Sequence, residues 1–86
     1  MESYNLLIRR PAAKEIEALP PKDRRRVVEK IQALADNPRP PGCEKLSGAD
    51  KYRLRQGDYR ILYEIADRDL IVTVVKVGHR RDVYYR

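Results

Sequence analysis

The residues best suited to chemistry in this chain are arginines crowded into one stretch, Tyr52-Arg53-Leu54-Arg55-Gln56-Gly57-Asp58-Tyr59-Arg60-Ile61-Leu62-Tyr63. β-Favouring residues alternate with polar ones on either side of a Gly-Asp pair, the pattern of two short strands joined by a tight turn. Residues two apart on a strand share a face, so Arg53 and Arg55 point the same way, about 6.6 Å apart. A Gly57-Asp58 loop sets Arg55 directly opposite Arg60, and a Gln56-Gly57 loop sets Arg53 there. A three-residue loop would put Leu54 opposite Arg60 instead. Like charges facing each other across a ladder are unfavourable, and local rules are broken most where a protein binds something. The partner this implies is an anion. Guanidinium forks hold phosphate oxygens bidentately and stabilise the charge that develops on a transferring phosphoryl group.

Phosphoryl chemistry also needs a proton carrier. Arginine, ionising at about 12.5 or above, is a poor base, whereas histidine, near 6.5, suits acid–base work around neutrality. His79 is the chain's one histidine. A last strand paired with Tyr59–Ala66 would bring His79, Arg80 and Tyr84 to the rim of the arginine patch. Tyr84 or Tyr52 could stack on an unpaired base. RNA carries an internal nucleophile, its 2′-OH. A site acting on RNA therefore has to orient that hydroxyl, stabilise a pentavalent phosphorane and move protons. One histidine excludes a two-histidine pair, so Tyr84, or the field of the arginines acting on a weak base, must supply the other half. Singly, each residue has a plainer reading: strand tyrosines, a solvated histidine, edge-strand arginines that deter aggregation. Their convergence is what points to a site.

Other chemistries lack their parts. One histidine and one cysteine cannot furnish the usual zinc ligand set, and Asp67 and Asp69 are sufficiently explained as turn formers. There is no Gly-rich phosphate loop and no placeable Ser/His/Asp triad. No metal and no cofactor is expected.

The elements that position the arginines read as follows. Tyr4 to Arg9 is a first strand, packed against later ones. Pro11 suits a first helical position, and Ala12, Ile16 and Leu19 recur at helical spacing until Pro20-Pro21 stops the helix. Lys22 to Asp36 is a stronger helix, with Val27, Val28, Ile31, Leu34 and Ala35 as its apolar stripe. Its outer face carries Arg24, Arg25 and Arg26, a trio able to grip phosphates, although a solvated helix face is the commoner meaning. Asn37 to Gly42 is a loop by its breakers, and residues 44–48 lead into the hairpin. Leu70 to Val77 is apolar on both faces apart from Thr73 and Lys76, the pattern of a central strand covered on both sides. The order β-α-α-β-β-β predicts an α+β fold, two helices packed on one face of a twisted, largely antiparallel four-stranded sheet. Residues 1–86 are expected to form a single domain.

The formal charge is +6 and the pI about 9.7, which favours a polyanionic or acidic partner. Residues 1–50 carry ten Lys/Arg against eight Asp/Glu, and residues 51–86 nine against five, so the excess lies toward the hairpin. No apolar run approaches the ~20 residues of a membrane span and no signal-peptide pattern opens the chain. No membrane partner is expected, and the expected location is cytoplasmic. Cys43, the lone cysteine, has no internal partner and fits a reducing compartment.

Three blocks taken together resemble a known family: Pro38-Arg39-Pro40-Pro41-Gly42 with Lys45-Leu46-Ser47-Gly48, the hairpin from Tyr52 to Tyr63, and Val77-Gly78-His79-Arg80-Arg81-Asp82-Val83-Tyr84. They resemble the RelE branch of the RelE/ParE superfamily, the toxins of type II toxin–antitoxin systems. The first strand and both helices fit as well, so the resemblance covers nearly the whole chain. It implies a RelE-like fold and a ribosome-dependent mRNA endonuclease acting in the small-subunit decoding site and leaving a 2′,3′-cyclic phosphate. It also implies neutralisation by a RelB-like antitoxin, with operator DNA contacted through the toxin–antitoxin complex. Arg53 and Arg55 match the two basic positions of the first hairpin strand, where some relatives have lysines and use one as the base. Arg60 matches a phosphate contact, Arg80 a transition-state stabiliser and Tyr84, with Tyr85 beside it, the tail tyrosine. His79 falls at a position often His or Lys. Lys45, Lys51, Tyr52 and Arg81 are the further candidate RNA contacts. Two alternatives remain on the same fold. One is a ParE-like toxin that poisons DNA gyrase, a group that generally lacks this basic set. The other is a basic nucleic-acid-binding module without catalysis.

Overall fold

The computed structural model describes residues 3–46 and 50–79. The chain runs β1 (Asn5–Ile8), α1 (Arg10–Glu17), α2 (Pro21–Ala33), β2 (Glu44–Lys45), β3 (Lys51–Gln56), β4 (Tyr59–Ala66) and β5 (Ile71–His79). Pro11 and Pro21 lie in the first turns of their helices, where a missing N–H costs nothing. Ala12 and Ile16 on α1 and Val27 and Ile31 on α2, each pair four apart, are buried. Leu34 extends the α2 stripe into the turn that follows, because α2 ends at Ala33 rather than at Asp36.

Among the described residues the sheet has five strands rather than four, in the order β1-β5-β4-β3-β2. The added strand is β2, two residues long and antiparallel to β3 through Glu44↔Arg53 and Lys45↔Tyr52. A strand this short carries no periodic signal. The β3–β4 and β4–β5 pairs are antiparallel and β1 runs parallel to β5, so the α+β, largely antiparallel architecture holds. Both helices pack on one face. There Ala12, Ile16, Leu19, Val27, Ile31 and Leu34 meet Tyr52, Leu54, Ile61, Tyr63, Ile65, Val72, Val74 and Val77. No described helix covers the opposite, open face.

Strand β5 corrects one expectation. It is interior to the sheet, but only Val72, Val74 and Val77 are buried, while Ile71 and Thr73 are half-buried. A bulge explains the sequence pattern. Leu62 pairs with Lys76 but Tyr63 with Val74, leaving Val75 as an extra residue. The side-chain parity switches there, so Val74 and Val77 share the helix face and Lys76 turns to the open one.

The end of β5 that approaches the hairpin runs past β1, which stops at Ile8. Glu15 of α1 takes over that edge: the Val77 N–H donates to Oε1 at 3.0 Å and Lys76 Nζ to Oε2 at 2.9 Å. One carboxylate thus satisfies the backbone donor that would otherwise be left open and fixes the strand beside the arginines.

Candidate nucleic-acid interface

Gln56 pairs with Tyr59 across the two-residue loop Gly57-Asp58. Gly57 has φ +59° whereas Asp58 is not left-handed, the backbone of a type II′ turn, which glycine enters without a Cβ penalty. This turn selects one of the three registers open to the sequence, and Arg55 stands directly opposite Arg60. The closing pair exchanges hydrogen bonds, so Arg55 and Arg60 form the next, non-hydrogen-bonded pair, with Cα atoms about 4.5 Å apart. Alternation puts Tyr52, Leu54 and Ile61 in the core and Arg53, Arg55 and Arg60 together on the open face.

The three arginines are not equivalent. Arg53 Nη2 donates to Glu44 Oε2 at 2.9 Å, across the β2–β3 pair, so this member of the row is neutralised where the sequence offered no visible counter-charge. Among the described residues no carboxylate lies within ion-pair distance of Arg55 or Arg60. The Nε of Arg60 is buried and has no hydrogen-bond partner among the described residues. A buried donor left unmade costs about 1–3 kcal/mol, more when charged. Beside it Leu62 is only 1% exposed, although it faces away from the helices. It stands in register between Arg53 and Lys76, whose aliphatic stems can shield it while their charged heads reach out to Glu44 and Glu15. The site is an apolar-floored row of cations, two of them without an acceptor among the described residues.

The other candidates separate. Lys51 shares the open face, in register with Glu64. Lys45 is exposed at the sheet edge but lies in register with Tyr52, on the side away from the arginines. Tyr52 is a correction: it is 5% exposed, stacked on Tyr63 at 5.7 Å with Arg39 over its ring, and so presents no face to a base. His79 is a second. The last strand brings it beside the hairpin as expected, but it pairs with Tyr59, while Gly78 is the residue opposite Arg60. Its ring therefore leaves on the helix side, edge-on to Tyr59 at 5.9 Å. Tyr59 donates to Asp23 at 3.4 Å, and burial, with the nearby Asp23 carboxylate, raises its phenol above the ordinary range. Arg80, Arg81 and Tyr84 lie outside the described residues. The partner missed in the sequence is Glu44; only recognition of a strand at Glu44–Lys45 would have placed it across from Arg53.

A second polar cluster lies at the other end of the β3–β4 ladder. Arg39 donates to Asp67 through Nη1 at 3.0 Å and Nη2 at 2.8 Å, and through Nε to the Tyr52 hydroxyl at 3.1 Å. The Tyr4 hydroxyl donates to the same Asp67 at 2.7 Å. These bonds, that to Arg39 foremost, hold the Asp67 carboxyl down at about 2. Tyr63 Oη donates to the Pro38 carbonyl at 2.8 Å, and burial pushes this phenol up. The cluster ties the loop after α2 to the β4–β5 turn and leaves no described group in it seeking a ligand.

Residues 6–84 match the family model for the ParE toxin of type II toxin–antitoxin systems, parDE. A RelE-like toxin protein of Escherichia coli is 35% identical over 86 residues, covering 94% of this chain and 90% of that protein. Toxin RelG of Mycobacterium tuberculosis is 33% identical, covering 96% and 98%. The toxin in the archaeal RelE–RelB complex from Pyrococcus horikoshii superposes with a TM-score of 0.85 at 30% identity, over 94% of this chain and 99% of that one. With the fold and the sequence matched over nearly its whole length, the chain belongs to the RelE/ParE family of type II toxins, as a RelE-like member.

Proposed function

We propose that this toxin is a ribosome-dependent mRNA endonuclease that cleaves the message through its 2′-OH. The observation that carries this reading is the opposed pair Arg55 and Arg60, with no carboxylate among the described residues in ion-pair distance and with the Arg60 Nε buried and lacking a described acceptor. A non-bridging phosphate oxygen supplies the acceptor such a donor lacks. In the reaction the 2′-oxygen attacks the adjacent phosphorus, the P–O5′ bond breaks, and a 2′,3′-cyclic phosphate and a 5′-hydroxyl result. Arg55 and Arg60 bind the equatorial oxygens, where negative charge grows, and Arg53, released from Glu44, holds a neighbouring phosphate. Arg80 completes the cationic cradle and Tyr84 moves a proton. Lys45, Lys51 and Arg81 contact flanking RNA. His79 faces Tyr59 and so is assigned no proton transfer in this reading. An extended message is held in the small-subunit decoding site, which explains why a toxin with so few acid–base groups depends on the ribosome.

Control falls to a RelB-like antitoxin, a reading supported by structural relatives solved as RelE–RelB complexes; operator DNA is reached through that complex. Mapping mRNA ends in a translating extract tests the function. The wild type is expected to generate new ends within codons on ribosomes, and Arg60→Ala to lower their yield about 100-fold. The matched ParE family description favours one second reading, gyrase poisoning. Induction of the DNA-damage response with translation intact would select that reading over cleavage.

A further inference from the structure

Cleavage of the P–O5′ bond calls for a proton on the departing oxygen, and the arginine pair is ill suited to give one, because a guanidinium ionises at about 12.5 or above. Most described proton carriers near the hairpin are otherwise placed. The ring of His79 lies on the helix side against Tyr59. Tyr52 is buried, and Glu44 accepts from Arg53. Lys51 stands in register with Glu64, on the far side of Arg53 from Arg55. Lys76 is different. It pairs with Leu62 and so shares the open face with Arg53, Arg55 and Arg60. Arg60 stands opposite Gly78, which makes Lys76, two residues earlier on β5, its diagonal neighbour at about 7–8 Å. Gly78 puts no side chain into the space beside them.

The head of Lys76 is also fixed. Its Nζ donates to Glu15 Oε2 at 2.9 Å, while Glu15 Oε1 accepts the Val77 N–H at 3.0 Å. A carboxylate anchored to the backbone of the same strand thus holds the lysine by a charge-assisted hydrogen bond. That bond takes one of the three N–H donors of the ammonium. The side chain is 44% exposed, open to a strand of RNA lying on the arginines.

We infer that Lys76 is the general acid of message cleavage, giving the 5′-oxygen the proton it needs to leave, with Glu15 as its positioning residue. This rests on the proposed function and adds a residue to the same site. As the 2′-oxygen bonds to phosphorus and the P–O5′ bond breaks, one Nζ proton passes to O5′ and completes the 5′-hydroxyl. The 2′-hydroxyl proton is released to water, and the neutral amine takes up a proton from water before the next turnover.

Two variants and two messages test the assignment in a translating extract. K76M removes the charge and the proton; K76R keeps the charge and the reach to Glu15 but is a poor acid. One message is all-oxygen, and the other carries sulfur in place of the 5′-oxygen at the cleaved linkage. A thiol ionises near 8.5, so the thiolate leaves without being protonated. Both variants are expected to cut the all-oxygen message about 100-fold more slowly than wild type. Both should cut the sulfur message at the wild-type rate. Should K76M fail to fold, K76R carries the test. A K76R protein that cuts the all-oxygen message like wild type overturns the inference, since charge alone then suffices. A defect that persists on the sulfur message overturns it too, because Lys76 would then act on something other than the leaving oxygen. In either case the wild type still cleaves, and the proposed function stands. If wild type leaves both messages intact on ribosomes, that function fails and takes the role of Lys76 with it.

Discussion

The β3–β4 ladder has arginines at both ends and treats them in opposite ways. At the base, Arg39 makes three side-chain hydrogen bonds, two to Asp67 and one to Tyr52, and lies 5.2 Å from the centre of the Tyr52 ring. At the tip, Arg55 and Arg60 face each other with no described carboxylate at hand, and one guanidinium nitrogen is buried with nothing to donate to. The residue type is the same, although Arg39 reaches the ladder from the loop after α2, and the supply of acceptors differs. Where a guanidinium serves the fold, the chain surrounds it with acceptors. Where no described acceptor is at hand, an outside acceptor would gain an interaction that the fold does not supply, which is the basis of the proposed RNA contact.

The largest expected effect comes from the tip. Arg55→Thr puts a good strand former opposite Arg60 and ends the charge clash. Message cleavage should fall about 100-fold, while urea denaturation should show the protein more stable by about 0.5 kcal/mol. Opposite signs for activity and stability would confirm the contrast between the two ends; a variant that loses both would make the pair a structural element like Arg39. At the base the expectation reverses. Arg39→Ala removes a bidentate pair and a cation–π contact, and the protein should lose about 1–2 kcal/mol of stability while the folded fraction still cleaves. A cleavage defect beyond the loss of folded protein would show that the base also shapes the site.

Much of this contrast was legible in the sequence, and the rest had physical reasons to stay hidden. The hairpin follows from alternation and turn residues, which left three registers open; the Gly57-Asp58 turn selects the one that opposes Arg55 and Arg60. Hydrophobic spacing located both helices and their buried stripes. What alternation cannot show is a change of parity, and the bulge at Val75 made β5 look covered on both faces. Nor can it show a two-residue strand, so the Glu44 partner of Arg53 went unseen. His79 was expected just beyond a strand ending at Val77, whereas β5 runs on through Gly78 to include it, and its face was not foreseen. A face depends on register to the residue, and a one-residue step moves a side chain through the sheet. The ring of Tyr52 was hidden by a contact from Arg39, thirteen residues away, that no local pattern encodes.

Arg53 lies between the two regimes, and Glu44 decides which it joins. Glu44→Gln keeps the shape and an acceptor but removes the charge. Such exposed pairs contribute about 0.2–1 kcal/mol, so stability should change little. Affinity for an oligoribonucleotide, read by fluorescence anisotropy at low salt, should rise by about threefold, corresponding to about 0.7 kcal/mol. Unchanged affinity would place Arg53 with Arg39, as a residue of the fold.

The smallest effect separates the two ends by pH. Asp67 titrates at about 2 in the folded chain instead of its ordinary 3.8, chiefly because Arg39, and then Tyr4, donate to its carboxylate. A depressed folded value means that unfolding favours proton uptake. The contribution is thus fully present above the ordinary carboxyl range and is lost as pH falls from about 4 through about 2. The stability difference between wild type and Asp67→Asn should therefore be constant from pH 7 to 5 and shrink toward zero near pH 2. Its size is limited by exposure, Asp67 being 53% accessible. The gain from Arg55→Thr should be flat over the same window, since no described carboxylate pairs with Arg55 or Arg60 and acid takes no partner from either. A pH-dependent gain at the tip would mean that the hairpin arginines have an acidic partner within the chain, and the distinction between the two ends of the ladder would fall.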